Sequence, residues 1–184
     1  MSAYKSDAET KMKKSIQSLV GEFNSIRTGR ASTALFDKLM VEAYGSKTPL
    51  NQVANISIPE ARLVVIQPWD KTVIGDIEKA ILASELSLTP NNDGKVIRLN
   101  IPPLTEDRRK DLAKQSKATA ENARVAIRNI RRDVNESLKK SLKDGDLTED
   151  DNKKALDEIQ KVTDLYIKEV DRMAAEKEKE IMEV

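Results

Sequence analysis

The chain has 184 residues, with 32 Lys and Arg against 31 Asp and Glu for a formal net charge of +1. It contains no histidine and no cysteine, which excludes zinc sites, Ser-His and Cys-His catalysis, disulfides and thiol chemistry. Aromatic residues are only 3%, so stacking platforms for single strands are not the main device.

Ser6-Asp-Ala-Glu9 has the form of a capping box, with a helix start a few residues earlier left open, and Met12, Ile16, Leu19, Phe23 and Ile26 repeat at bundle-helix spacing. Gly29, within Arg27-Thr-Gly-Arg30, is a natural left-handed stop, with both arginines well placed for the negative helix end.

The pattern then changes. Leu39 to Tyr44 reads as a strand and Gly45 to Pro49 as a turn. Val53 to Ile58 alternates and stops at Pro59, and Leu63 to Ile66 is a short buried strand stopped at Gln67-Pro68. Trp69 is expected in core or hinge packing. Asp70 or Thr72 caps a helix carrying Val73, Ile77, Ala80 and Ile81. Leu88 to Gly94 is turn chemistry throughout, and Val96 to Ile101 alternates as a strand.

Pro102-Pro103 is a rigid exit, and Thr105 caps a helix that runs to Lys143, about 39 residues or about 58 Å. Asp144-Gly-Asp146 turns the chain, and Thr148-Glu-Asp-Asp151 starts a last helix of about 33 residues. Leu156, Ile159, Thr163, Tyr166, Val170 and Met173 form its seam. Residues 105–143 hold 12 Lys and Arg against 6 Asp and Glu, whereas residues 144–184 hold 7 against 14. If these two helices pack antiparallel, part of that asymmetry is structural charge pairing.

None of the three long helices can bury its stripe alone, so the expected fold is α+β. It comprises an elongated three-helix bundle from residues 1–29 and 105–184, with a small β/α/β domain at 30–104 inserted between the first two helices. The crossings near 28–31 and 102–105 contain Thr28, Gly29, Arg30, Pro102 and Pro103, the expected hinges.

The segment Glu121 to Asp133 carries the most chemistry. Ala123, Ile127, Ile130, Val134 and Leu138 share an apolar face, and Arg124, Arg128, Arg131 and Arg132 lie beside it within about 100° of arc. With no carboxylate among them before Asp133, they are expected to resist neutralisation by near neighbours. Arginine presents planar bidentate donors suited to phosphate oxygens, and all four cations are arginine. Three readings remain open from the residues: a nucleic-acid-binding factor, a helical protein with coiled-coil contacts to other chains, and an enzyme using Glu106/Asp107 or Asp150/Asp151. Both acid pairs sit at helix starts, where capping explains them, and phosphate loops and Gly-rich fingerprints are absent. The chain is therefore read as no enzyme, with no metal and no cofactor. No apolar run approaches the ~18 residues of a membrane span and no signal-peptide core is seen, so a cytoplasmic location with no membrane contact is expected.

Several segments together resemble the ribosome recycling factor family. They are Ile26-Arg-Thr-Gly-Arg-Ala-Ser32, Thr48-Pro-Leu-Asn-Gln-Val-Ala54, Asn92-Asp-Gly94 with Ile97-Arg-Leu99, Pro102-Pro-Leu-Thr-Glu106 and Val125-Ala-Ile-Arg-Asn-Ile-Arg-Arg-Asp133. The resemblance covers essentially the whole chain in order. It implies an L-shaped monomer with the outline of a transfer RNA. Its expected action, with elongation factor G and that partner's GTP hydrolysis, is to split post-termination 70S ribosomes into subunits. It further implies that the bundle lies on large-subunit (50S) ribosomal RNA. Arg131, then Arg128 and Arg132, are expected to face that RNA, with Arg124, Arg27 and Arg30 as further contacts. The second domain would swing about the hinges.

Overall fold

The computed structural model describes residues 3–183; Met1, Ser2 and Val184, the outermost ends of the expected bundle segments, lie outside the described residues. The elements in chain order are α1 (Ala3–Ser25), β1 (Met40–Ala43), β2 (Ser46–Pro49), β3 (Ala54–Glu60) and β4 (Leu63–Pro68). They continue with α2 (Ile74–Ala83), β5 (Pro90–Asn92), β6 (Ile97–Asn100), α3 (Glu106–Lys143) and α4 (Glu149–Met182). The chain divides into two compact units, one built from the segments up to Thr28 and Thr105–Glu183, the other from Gly29–Leu104. The architecture is α+β.

In the first unit α1, α3 and α4 pack pairwise against one another. The start of α3 is set locally: the Thr105 hydroxyl accepts the Arg108 N–H at 3.2 Å, and Glu106 and Asp107 occupy the positive first turn. With no Gly or Pro inside it, α3 continues for 38 residues and stops at Asp144-Gly145, where Gly145 takes φ +79°. Thr148 repeats the capping device on α4, accepting the Asp151 N–H at 3.1 Å.

The buried residues of α3 are Leu112, Ser116, Ala120, Ala123, Ile127, Val134 and Leu138, a seam spaced for bundle packing. Ile130, expected on this face, is only half-buried. On α4 the seam departs further from expectation. Leu156 is 37% exposed and Tyr166 and Met173 are half-buried, while Ala155, Val162 and Ile181 join Ile159, Thr163 and Val170 inside. At the turn end, Ala8, Val134, Leu138, Ala155 and Ile159 form one cluster. Ser6 lies inside α1, not at its cap, because the helix already runs from Ala3.

In the second unit a β1–β2 hairpin stands beside an antiparallel sheet of order β3-β4-β6-β5, and α2 packs against β1 and β5. Its core unites Val41, Leu50, Val64, Ile66, Ile77, Ile81, Ile97 and Leu99. Four stretches read as turns or stops are strand. Ser46–Pro49 is β2, closed by Tyr44 (φ 54°) and Gly45 (φ 78°), a two-residue left-handed turn that matches strand twist. β3 passes through Pro59 because the ladder slips between Ser57 and Glu60 on an edge strand, where a missing N–H costs no ladder bond. Pro90–Asn92 is β5, paired with β6. β4 likewise extends through Pro68, opposite Ala54. Asp70 caps the turn entering α2, accepting the Thr72 N–H at 2.9 Å. Trp69 is not core: its backbone N–H bonds to the Val53 carbonyl, but the residue is 68% exposed.

Burial separates neighbours on α3. Ile127→Ala, at a fully buried position, is expected to cost about 3 kcal/mol in denaturant unfolding, whereas Val125→Ala, 44% exposed, is expected to change stability by less than about 0.5 kcal/mol.

Candidate nucleic-acid interface

Arg124, Arg128, Arg131 and Arg132 are brought to one side of α3 but meet different fates. Arg124 is a strut. Its Nε–H donates to Asp171 Oδ1 on α4 at 2.8 Å, and its Nη1 donates to Glu121 Oε2 at 3.1 Å. Burial opposes its charge, yet the hydrogen bonds to Asp171 and then Glu121 outweigh that and raise its pKa. Glu121 also takes an Nη1–H from Arg128 at 3.2 Å. Its carboxyl is held below the ordinary range, first by the hydrogen bond from Arg124 and then by that from Arg128. No carboxylate lies between Arg124 and Arg132, yet the near neighbour Glu121 engages two of the four arginines. Glu121, three residues before Arg124 and seven before Arg128, sits on the same face, and this spacing was the available signal.

Among the described residues Arg131 has no acidic partner within ion-pair distance and makes one long hydrogen bond, 3.5 Å, from Nη1 to the neutral Gln160 amide oxygen. Arg132 is exposed and makes no hydrogen bond or ion pair among the described residues. The ridge therefore grades along α3, from an arginine spent on structure to one with no partner among the described residues.

Charge pairing between the helices follows a register. Lys117 meets Glu178 at 3.5 Å and Arg124 meets Asp171 at 2.8 Å, so a step of seven along α3 is answered by a step of seven back along α4. This register, readable only once the helices are laid antiparallel, brings in Asp171 and Gln160, which sequence reasoning passed over.

At the first crossing Arg27 and Arg30 are exposed and make no hydrogen bond or ion pair among the described residues. Thr28, expected to flex, is 4% exposed and donates its hydroxyl hydrogen to Glu180 Oε1 on α4 at 2.8 Å. Glu180 in turn faces Lys177 at 3.3 Å, so a buried ammonium is matched and Thr28 is tied into the bundle. Gly29 has φ +75°, and a Cβ there would lie 3.1 Å from Leu104 Cγ. Pro102 and Pro103 are exposed. Among the described residues no group of His, Cys, Asp or Glu is arranged to hold a metal, and no helix is long and apolar enough to cross a membrane.

Fold and ridge together define a class, an α+β protein of two compact units whose helical bundle presents unneutralised guanidinium groups. The sequence model of ribosome recycling factor matches residues 19–182. A ribosome-recycling factor of Treponema denticola is 63% identical over 179 residues, covering 97% of each chain, and one of Halalkalibacterium halodurans is 58% identical, covering 97% of this chain and 96% of its own. Among solved structures, a solution structure of the ribosome recycling factor is 44% identical with a TM-score of 0.75, covering 98% of this chain and 96% of its own. A second, 46% identical with a TM-score of 0.63 and 97% coverage of both chains, comes from a study of the T. thermophilus ribosome recycling factor and the E. coli elongation factor G bound to the E. coli post-termination complex. The chain belongs to the ribosome recycling factor family, and it is a translation factor.

The strut and the free arginine are separable by stability. Arg124→Ala is expected to lower bundle stability by up to about 1 kcal/mol, the upper end for a largely solvent-screened ion pair, while Arg132→Ala leaves the melting temperature unchanged.

Proposed function

We propose that this chain, together with elongation factor G and its GTP hydrolysis, splits post-termination ribosomes into subunits for another round of initiation, working as a cytoplasmic monomer. The bundle is seated on large-subunit ribosomal RNA through Arg131 and Arg132, with Arg128 beside them. The observation that carries this reading is the state of the two leading arginines: Arg132 has no partner among the described residues and Arg131 only a neutral one. A phosphate approaching either need not displace a carboxylate first, and a guanidinium offers it two parallel N–H donors. Arg128 contributes with its remaining donors, since a single Nη1–H is engaged by Glu121. Arg124 acts through the scaffold and holds α3 to α4. Arg27 and Arg30 add further cations for the ribosome.

The coiled-coil alternative loses ground for a physical reason. The seams of α1, α3 and α4 are consumed by packing against one another, and residues such as Met12, Ile127 and Ile159 are fully buried. The function needs no bond-breaking step from this chain. What it needs is a grip and a movable part. Thr28 ends the anchored segment, so motion of the second unit is assigned to Gly29 and Arg30 on one crossing and to Pro102 and Pro103 on the other.

Arg131→Ala and Arg132→Ala are each expected to weaken co-sedimentation with 50S particles by about tenfold, and to reduce the slope of log affinity against log salt by about one. Helicity and melting temperature should not move, and unchanged affinity would remove the role assigned here.

A stiffened crossing separates grip from motion. Gly29→Val combined with deletion of Pro103 is expected to preserve 50S binding but slow subunit splitting measured by light scattering. Splitting at the unmodified rate would contradict the moving-part account.

A further inference from the structure

The register between α3 and α4 contains an exception at the most important arginine. Cations at Lys117 and Arg124 face acids at Glu178 and Asp171, each step of seven on one helix matched on the other. One more step takes α3 to Arg131 and α4 to Asp164, so the pattern calls for a third cross-helix ion pair. That pair is missing. The Gln160 side chain lies between the two charges, with its Nε2–H donating to Asp164 Oδ1 at 2.9 Å and its Oε1 facing Arg131 Nη1 at 3.5 Å. The amide thus satisfies the acid with its donor and meets the arginine with its acceptor.

We propose that Gln160 is a positioning residue that keeps Arg131 available to phosphate by occupying Asp164, its register-matched acid. This rests on the reading of Arg131 as a ribosomal RNA contact. A glutamine suits the task because it carries a donor and an acceptor about one turn from Asp164, within reach of both partners. A carboxylate at this position would bind the guanidinium itself, and an aliphatic side chain would leave Asp164 free to do so. Arg124, with no such amide in between, shows the alternative: it is bound by Asp171 at 2.8 Å. Arg131 is instead oriented by one long hydrogen bond, 3.5 Å, to a neutral acceptor, which an anionic phosphate outcompetes by adding full charge and a second parallel N–H···O bond.

The test compares 50S co-sedimentation of the unmodified protein, Gln160→Leu, the double variant Gln160→Leu/Asp164→Asn, and Arg131→Ala, with melting temperatures for each. Gln160→Leu should bind about threefold to fivefold more weakly, the range of one exposed ion pair, and the deficit should shrink as salt screens that pair. A crystal structure of this variant should place Arg131 within about 4 Å of Asp164. The double variant should recover the affinity of the unmodified protein. Undiminished binding by Gln160→Leu overturns the proposal. So does a loss that persists in the double variant, which would mean the glutamine merely supports the helix. Should Arg131→Ala itself bind normally, the RNA-contact reading falls first. If Arg131→Ala binds weakly while Gln160→Leu does not, only the role of Gln160 is lost.

Discussion

The antiparallel seam between α3 and α4 decides which charges are spent inside the protein and which remain outside. Apolar residues such as Ile127 and Ile159 fix how far one helix slides against the other, because slippage would take fully buried side chains out of the core. Once the register is set, the charged residues at the edge of the seam have no choice of partner. Lys117 finds Glu178, Arg124 finds Asp171, and Arg131 finds Gln160. Hydrophobic packing, itself blind to charge, thereby sorts four chemically identical arginines into a strut, a half-engaged group and two available ones. The net charge of +1 says nothing of this, since the balance conceals a basic helix lying along an acidic one.

The inserted unit follows a different logic. Its core is closed on itself by strands, the hairpin and α2, so it folds around its own apolar centre without borrowing from the helices. That self-sufficiency lets the unit be inserted in the chain of the other, beginning at Gly29 and ending at Leu104. At the first crossing adjacent residues differ in kind: Thr28 is hydrogen-bonded into the bundle through Glu180, and Gly29 adopts a positive φ that other residues strain to reach. The side chain of Thr28 is thus part of the support, although its position in the sequence invites assignment to the hinge.

The long helices were legible because they depend on local signals. Thr105 and Thr148 cap, acids fill the first turns, and Asp144-Gly145 breaks the chain, all within four residues of the boundary they define. The strands were less so. Ser46–Pro49 looks like a turn by composition and becomes a strand because the left-handed pair Tyr44-Gly45 folds it back onto β1. Pro59 and Pro68 look like stops, yet β3 and β4 run through them where the ladder slips or needs no donor. Trp69 looks like core by size, and its exposure follows from where the β4 exit places it. On α4 Ala155 is buried in place of Leu156 while Ile159, Thr163 and Val170 keep their expected places, because α1 and α3 both press on that helix and a single stripe does not describe two contact faces.

By itself the sequence determined the α+β class, the extents of α3 and α4, the insertion of a small β-containing unit, and the gathering of Arg124, Arg128, Arg131 and Arg132 on one helix face. Periodicity and capping are properties of neighbours along the chain, and a linear reading recovers them. Only the tertiary structure decided that Asp171 holds Arg124, that Gln160 stands between Arg131 and Asp164, and that Thr28 is anchored. Those outcomes depend on residues up to 152 positions apart meeting across a packed interface, and the partner of a surface charge is set by helix register, which local composition does not encode.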